Sequence, residues 1–174
     1  MEDEYEPMSI FNDLSMMFLN RIGRKRVELL YDISPDIPSK LYGDGQRLRQ
    51  IIVNLMNNAI KYTDSGYVRL KVEVNPMHGD WINLAFSVQD TGQGIKEEDM
   101  EKLFGSFQQV DMKKNHGKEG TGLGLSISKQ LVELMQREFS EANGGTTDSQ
   151  CLPTQLRNTA LKRINMALRW LVRD

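Results

Sequence analysis

The sequence predicts an α+β fold, a two-layer α/β sandwich in which helices cover one face of a mixed, mostly antiparallel sheet. Three observations predict it. Tyr67 to Val74 and Trp81 to Gln89 each alternate apolar and polar residues on either side of a turn at Pro76 to Asp80, the pattern of a β-hairpin. Ser9 to Ile22 and Asp44 to Thr63 instead space their apolar residues at three- and four-residue steps, as helices with one buried stripe do. Helices and strands in this order do not alternate as βαβ units, so the helices are expected on one side of an antiparallel-leaning sheet.

The elements follow in order. In the first helix Ile10, Leu14, Met17, Phe18 and Ile22 form the buried stripe, and Gly23 ends it. Arg26 to Ile33 reads as a strand, and Pro35 and Pro38 punctuate the path to a short extended piece at Ser39 to Tyr42. The second helix starts near Asp44 and ends near Thr63, with Leu48, Ile51, Ile52, Leu55 and Ala59 within one arc. Asp64-Ser65-Gly66 turns the chain into the hairpin, whose inward residues are Val68, Leu70, Val72 and Val74, then Ile82, Leu84, Phe86 and Val88. A glycine-bearing loop (Asp90 to Ile95), a short acidic helix to Phe104 and an aperiodic polar segment (Gly105 to Gly120) come next. Thr121 to Arg137 is helical, with Leu125, Ile127, Leu131, Leu134 and Met135 as its apolar side.

Composition excludes several function classes. The chain has 174 residues and a formal net charge of -2, which disfavours nucleic-acid binding through a broad basic surface. Cys151 stands alone, so no internal disulfide and no multi-thiolate metal site can form, and a reducing, cytoplasmic location is expected. No apolar run approaches the roughly 20 residues of a membrane helix. The acidic start (Glu2, Asp3, Glu4, Glu6) is unlike a signal or transit peptide.

Three stretches could carry chemistry. On the second helix Asn54 and Asn58 lie one turn apart, with Lys61 three residues on and Arg47 seven before Asn54, all on one flank away from Asn57. Such residues commonly just face water, yet asparagine is a poor helix former and two on one flank invite a reason. An amide oxygen suits Mg²⁺, and a lysine suits phosphate. Asp90-Thr91-Gly92-Gln93-Gly94-Ile95 follows a strand end. It can be a plain turn, or its glycines can admit a flat ligand while Asp90 accepts a hydrogen bond from an exocyclic amine. A calcium loop is excluded, because Gly92 and Gly94 stand where oxygen ligands are needed. Gly120-Thr121-Gly122-Leu123-Gly124-Leu125 runs into a helix, where free N–H groups can meet phosphate, although neither the dinucleotide fingerprint nor a Walker sequence is present.

Taken together and in this order, Arg47 to Thr63 (RLRQIIVNLMNNAIKYT), DTGQGI, Leu103-Phe104-Gly105-Ser106-Phe107 and EGTGLGLSISKQLVELM closely resemble the catalytic ATP-binding domain of sensor histidine kinases. That domain belongs to a superfamily shared with gyrase, the large heat-shock chaperones and the mismatch-repair ATPases. The resemblance covers about residues 7 to 137 and implies ATP and Mg²⁺ as cofactors. It implies that Asn58 is the Mg²⁺ ligand, Asn54 its catalytic neighbour and Lys61 a phosphate contact. Tyr62 would stack on or border the adenine, and Asp90 would accept from its amino group, with Gly92, Gly94 and Ile95 shaping the pocket. Phe104 and Phe107 would anchor a lid spanning Gln108 to Glu119, in which one of Lys113, Lys114 and Lys118 reaches the γ-phosphate. Gly120, Thr121, Gly122 and Gly124 would close over the phosphates, and Leu123 would pack near the base. Family members that hydrolyse ATP carry a glutamate base where Asn54 stands here, and an amide cannot take that proton. This implies transfer rather than hydrolysis, to a histidine on a separate dimerisation domain of the same kinase, with a response regulator downstream. Two other classes stay open, a non-catalytic nucleotide-binding or interaction module and an autonomous ATPase of the gyrase or chaperone type.

The sequence departs from this pattern at both ends. Only His78 and His116 are present, in a turn and in the lid, so the acceptor histidine is not among these residues. The expected division is a linker remnant (1–8), the ATP-binding domain (9–138) and an atypical basic tail (139–174), with the chain a fragment or excised domain of a cytosolic protein or of the cytosolic part of a membrane-bound sensor. In the tail Leu156, Ala160, Ile164, Leu168, Leu171 and Val172 recur at helical spacing, with Arg157, Lys162, Arg163, Arg169 and Arg173 around them. A helix from about 153 is therefore expected, and the last two strands of the family are expected to be missing. Three readings compete for the tail: a shifted reading frame or cloning artefact, a helix over the sheet, or a basic amphipathic helix for a membrane surface or partner. A sheet lacking central strands would expose apolar surface, which predicts a strand-exchanged or tail-mediated homodimer.

Overall fold

The alternating segments on either side of Pro76 pair antiparallel, from Val68↔Asp90 to Pro76↔Ile82, as the hairpin predicted for them. The computed structural model describes residues 3–76, 81–94, 127–135 and 162–172. In chain order these form β1 (Asp3–Tyr5), α1 (Pro7–Ile22), β2 (Arg26–Ile33), β3 (Leu41–Gly43), α2 (Gly45–Tyr62), β4 (Ser65–Pro76), β5 (Trp81–Asp90), α3 (127–135) and β6 (Lys162–Val172). The strands make one sheet in the order β1-β3-β6-β5-β4-β2. Only the β2–β4 pair is parallel, so the sheet is mixed and mostly antiparallel as expected.

The core lies between the helices and the inward side of the hairpin. Val68, Leu70 and Val72 of β4 and Ile82, Leu84, Phe86 and Val88 of β5 are buried. From α1 come Ile10, Phe11, Leu14, Phe18 and Ile22, with the Phe11 and Phe86 rings tilted at 6.5 Å between centroids. From α2 come the five predicted residues together with Met56 and Ile60. Burial of so many large side chains, at about 1.5–3 kcal/mol each, sets the orientation of α2 on the sheet. Met17 departs from its predicted stripe and is exposed, whereas Leu14 and Phe18 of the same stripe are fully buried. Ile127 and Leu134 of α3 are likewise exposed, and the helix buries Ser128 and Val132 instead.

The two ends of the chain correct the sequence reading. Asp3–Tyr5, expected as linker, pairs antiparallel with β3 and so extends the sheet. The larger correction concerns the tail: over Lys162–Val172 the backbone is strand, not helix. This strand sits in the middle of the sheet, paired with β5 from Trp81↔Leu171 to Asp90↔Lys162 and with β3 at Leu41 and Tyr42. The physical reason is the free edge of β5. A helix at this position would leave a ten-residue row of β5 backbone groups without partners, whereas a strand satisfies them. The sequence also supports it, since Ile164, Met166, Leu168, Trp170 and Val172 alternate at period two with Arg163, Asn165, Ala167, Arg169 and Leu171. β6 thus fills one of the two strand positions expected to be missing, and the strand-exchanged homodimer inferred from an open sheet centre loses that premise. Among the described residues, no helix is long and apolar enough to cross a membrane.

The position of α2 also depends on its first turn. Asp44 is its N-cap, accepting from the Arg47 N–H at 3.0 Å, and its carboxylate lies 3.2 Å from the Arg47 guanidinium. Burial alone would raise the Asp44 pKa, but hydrogen bonds and the Arg47 charge hold it below the usual carboxylate range. The capped carboxylate thus stabilises the fold above the ordinary aspartate pKa of about 3.9, and this contribution fades as pH falls through the lower folded value. Asp44→Ala should cost about 1–2 kcal/mol in urea unfolding at pH 7, with the gap to wild type shrinking below about pH 4.

Candidate functional site

The end of α2 and the end of β5 meet at one seam. Thr63, the C-cap of α2, is wholly buried, and its hydroxyl lies 3.4 Å from Asp90 Oδ1 at the last position of β5. The same Oδ1 accepts the Gly92 N–H at 2.8 Å, the ring closure expected when an aspartate opens a turn. Two further bonds strap the loop in place. Gln93 N–H donates to the Tyr62 carbonyl at 3.4 Å, and Thr91 exchanges bonds with Tyr67, its N–H donating at 3.2 Å and its Oγ1 accepting at 2.9 Å. A side chain at position 92 would overlap the Tyr62 carbonyl, so glycine is required there by close approach. At Gly94 the backbone takes φ 91°, a conformation that other residues rarely adopt. Asp90 is therefore a half-buried carboxylate with one oxygen committed to the loop, while Oδ2 has no hydrogen-bond partner among the described residues.

The carbonyls at the end of α2 would be orphans, as at any helix C-terminus. Lys25, in the turn between α1 and β2, supplies the donor. Its ammonium donates to the carbonyls of Ile60 (2.7 Å), Lys61 (3.3 Å) and Thr63 (3.2 Å) and lies 3.8 Å from Asp64. A cation there also suits the negative end of the helix dipole. By this contact Lys25 fixes the residues that seat the Asp90 loop, yet nothing in the sequence marks a lysine in a turn for this task.

The predicted flank of α2 divides into two parts. Arg47 belongs to the N-terminal cap through Asp44 rather than to the seam. Asn54 is held on both sides: its Oδ1 accepts from Gln50 Nε2 at 2.9 Å, and its Nδ2 donates to Ser128 Oγ on α3 at 3.2 Å. Asn58, one turn on and half-buried, has no hydrogen-bond partner among the described residues. The Lys61 ammonium stands 4.9 Å from the centroid of the Tyr62 ring, in a cation–π arrangement at the end of the helix. The structure thus brings Asn58, Lys61, Tyr62, Asp90, Gly92 and Gly94 to the helix flank and the seam at its end. Ile95, Phe104, Phe107, Lys113, Lys114, Lys118, Gly120, Thr121, Gly122, Leu123 and Gly124 lie outside the described residues.

The donor set fits a magnesium ion of a particular kind. Among the described residues no group of three His, Cys, Asp or Glu could enclose a metal. A single amide oxygen such as Asn58 suits Mg²⁺ that keeps its waters and takes most of its ligands from a nucleotide's phosphates. Tyr62, Thr63, Lys25 and Asp90 all bear on one end of α2, so removing the Lys25 contact should loosen that end. Lys25→Met is expected to lower stability by about 1–2 kcal/mol, read as a lower midpoint in thermal unfolding followed by circular dichroism.

The chain is similar to several known proteins. Residues 43–156 match the family described as histidine kinase-, DNA gyrase B-, and HSP90-like ATPase. Sensor histidine kinase RcsC of Escherichia coli is 38% identical over 137 residues, 79% of this chain and 14% of the relative. Sensor histidine kinase GacS of Pseudomonas protegens is 42% identical over 115 residues, covering 66% of this chain and 12% of that protein. The chain therefore spans only about a seventh of the length of such relatives. Among solved structures, full-length ShkA in complex with AMPPNP superposes at TM-score 0.72 and 23% identity, over 99% of this chain and 32% of ShkA. The catalytic domain of histidine kinase ThkA, nucleotide-free, superposes at TM-score 0.62 and 20% identity, over 97% of both chains. These likenesses match a fold in which a mixed sheet carries α2, the Asp90 loop and α3 in the order the motifs predicted. The chain belongs to the histidine kinase-, DNA gyrase B- and HSP90-like ATPase family, as an ATP-binding domain of the sensor histidine kinase type.

Proposed function

We propose that this chain binds ATP with Mg²⁺ and delivers the γ-phosphate to a histidine on the dimerisation domain of the same kinase, in a cytoplasmic two-component pathway whose next member is a response regulator. One observation carries the reading: Asp90 is held by Oδ1 to Gly92 and Thr63 while Oδ2 has no partner among the described residues, next to a glycine whose backbone lies close against the Tyr62 carbonyl. A fixed carboxylate of this kind can accept from the exocyclic amine of adenine. Burial of that bond makes recognition selective, since an unpaired carboxylate would be costly.

The remaining roles follow from position. Tyr62 borders the base, and Gly92, Gly94 and Ile95 give it room. Asn58 would hold Mg²⁺, and Lys61 is close enough in sequence and place to reach a phosphate by leaving the Tyr62 ring. Bound Mg²⁺ supplies charge neutralisation on the transferring phosphoryl group. Phe107, the lid lysines Lys113, Lys114 and Lys118, and the segment Gly120 to Gly124 with Thr121 and Leu123 complete the site on the sequence pattern alone. Asn54 separates transfer from hydrolysis. Its carboxamide is bonded to Gln50 and Ser128 and cannot take a proton from water at neutral pH, so this position provides no base. Phosphoryl transfer needs positioning and electrostatic stabilisation more than a base in this domain.

Titration with trinitrophenyl-ATP, in MgCl₂ or in EDTA, tests the reading. Saturable binding by the full chain is expected, with Asp90→Ala weakening it about 10- to 100-fold and Asn58→Ala abolishing the gain that Mg²⁺ provides. No saturable binding, or affinity indifferent to both substitutions, would contradict it. Incubation with ATP and a separately prepared dimerisation domain should then place phosphate on that domain's histidine.

A further inference from the structure

Asn54 and Ser128 are 74 positions apart in sequence and meet across the helical layer. Ser128 is wholly buried, one of few polar residues so placed, and its Oγ accepts from Asn54 Nδ2 at 3.2 Å. Gln50, one turn before Asn54, donates to its Oδ1 at 2.9 Å and so sets which end of the carboxamide faces α3. Both ends of Asn54 are thereby engaged. Asn58 is one turn further along the same flank. Ser128 also stands four residues beyond Gly124, the last glycine of EGTGLGL, on the helix that this segment leads into. The hydrogen bond thus ties the α2 flank that presents Asn58 to the helix that follows the glycine segment. Asparagine mid-helix is otherwise unfavourable, and a buried serine hydroxyl costs free energy without a partner, so the hydrogen bond between them offsets part of two local penalties.

We propose that Ser128 is a positioning residue for the phosphate end of the nucleotide: through Asn54 it sets the spacing between Asn58 and α3, so that Mg²⁺ and phosphate are held together. Ser128 touches neither ligand itself. This inference rests on the nucleotide reading above and adds to it a residue whose effect is confined to the Mg²⁺-dependent part of binding. The adenine seam at Thr63, Asp90 and Gly92 is anchored by other bonds, from Gln93 and Thr91, and does not depend on Ser128.

The test compares wild type, Ser128→Ala, Asn54→Ala and the double variant, each titrated with trinitrophenyl-ATP in MgCl₂ and in EDTA. Alanine is the better helix former, so Ser128→Ala is expected to fold, and circular dichroism melts of all four chains check this. The expected result is a three- to tenfold loss of affinity for Ser128→Ala in MgCl₂, the factor carried by one neutral hydrogen bond, with affinity in EDTA unchanged. Asn54→Ala should show a similar loss, and the double variant should be no worse than the weaker single one, as coupled residues require. Equal losses in MgCl₂ and EDTA, additive losses in the double variant, or full Mg²⁺-dependent affinity in Ser128→Ala would each overturn the positioning role while leaving nucleotide binding intact. Failure of wild type to bind in either buffer would instead overturn the nucleotide reading, and this inference with it.

Discussion

The close approach of the Gly92 backbone to the Tyr62 carbonyl is the constraint around which the candidate site is built. It brings the end of a helix and the end of a strand into contact, with no side chain between them. Thr63 can then be wholly buried beneath Asp90, and the Asp90 carboxylate is oriented by Gly92 and Thr63 rather than by solvent. For the contact to hold, the last turn of α2 must not fray. The Lys25 ammonium prevents fraying by taking up three carbonyls that helix geometry leaves unpaired. The Asp44 cap serves the same helix at its other end.

The sheet supplies the fixed frame for this seam. Asp90 ends a strand that is paired along its length on both sides, with β4 on one edge and β6 on the other. A carboxylate at the end of a doubly paired strand is positioned by the sheet, and one on an edge strand would be less restrained. For this reason β6 bears on the site although Lys162, opposite Asp90 in register, is more than 70 positions distant in sequence.

How much of this was legible in the sequence depends on the range of the interactions. α2 could be read nearly residue by residue, because Asp44 is a local cap and the arc from Leu48 to Ala59 is a local period. The hairpin was equally plain, since Val68 to Val74 and Ile82 to Val88 alternate on either side of a turn. β6 misled because Leu156, Ala160, Ile164, Leu168 and Leu171 satisfy a helical spacing while Ile164 to Val172 also alternate at period two. What decides between the two is the unpaired edge of β5, a long-range fact that no local window contains. Lys25 and Ser128 were missed for the same reason: each acts on a carbonyl or an amide far along the chain. The motif residues Asn58, Lys61, Tyr62, Asp90 and Gly92 could be picked out in the sequence, although the bonds that hold Asp90 and Asn54 became visible only in three dimensions.

The account stands on a nucleotide base seated where α2 and β5 end, and backbone amide NMR of the full chain tests that location most directly. On titration with AMPPNP and Mg²⁺, the largest shift changes are expected at Tyr62, Thr63, Asp90, Gly92 and Gly94, with a second set around Asn58. Shifts confined to another surface, such as the groove beside Glu4, Ser9, Lys40 and Arg49, or no saturable shifts at all, would contradict it.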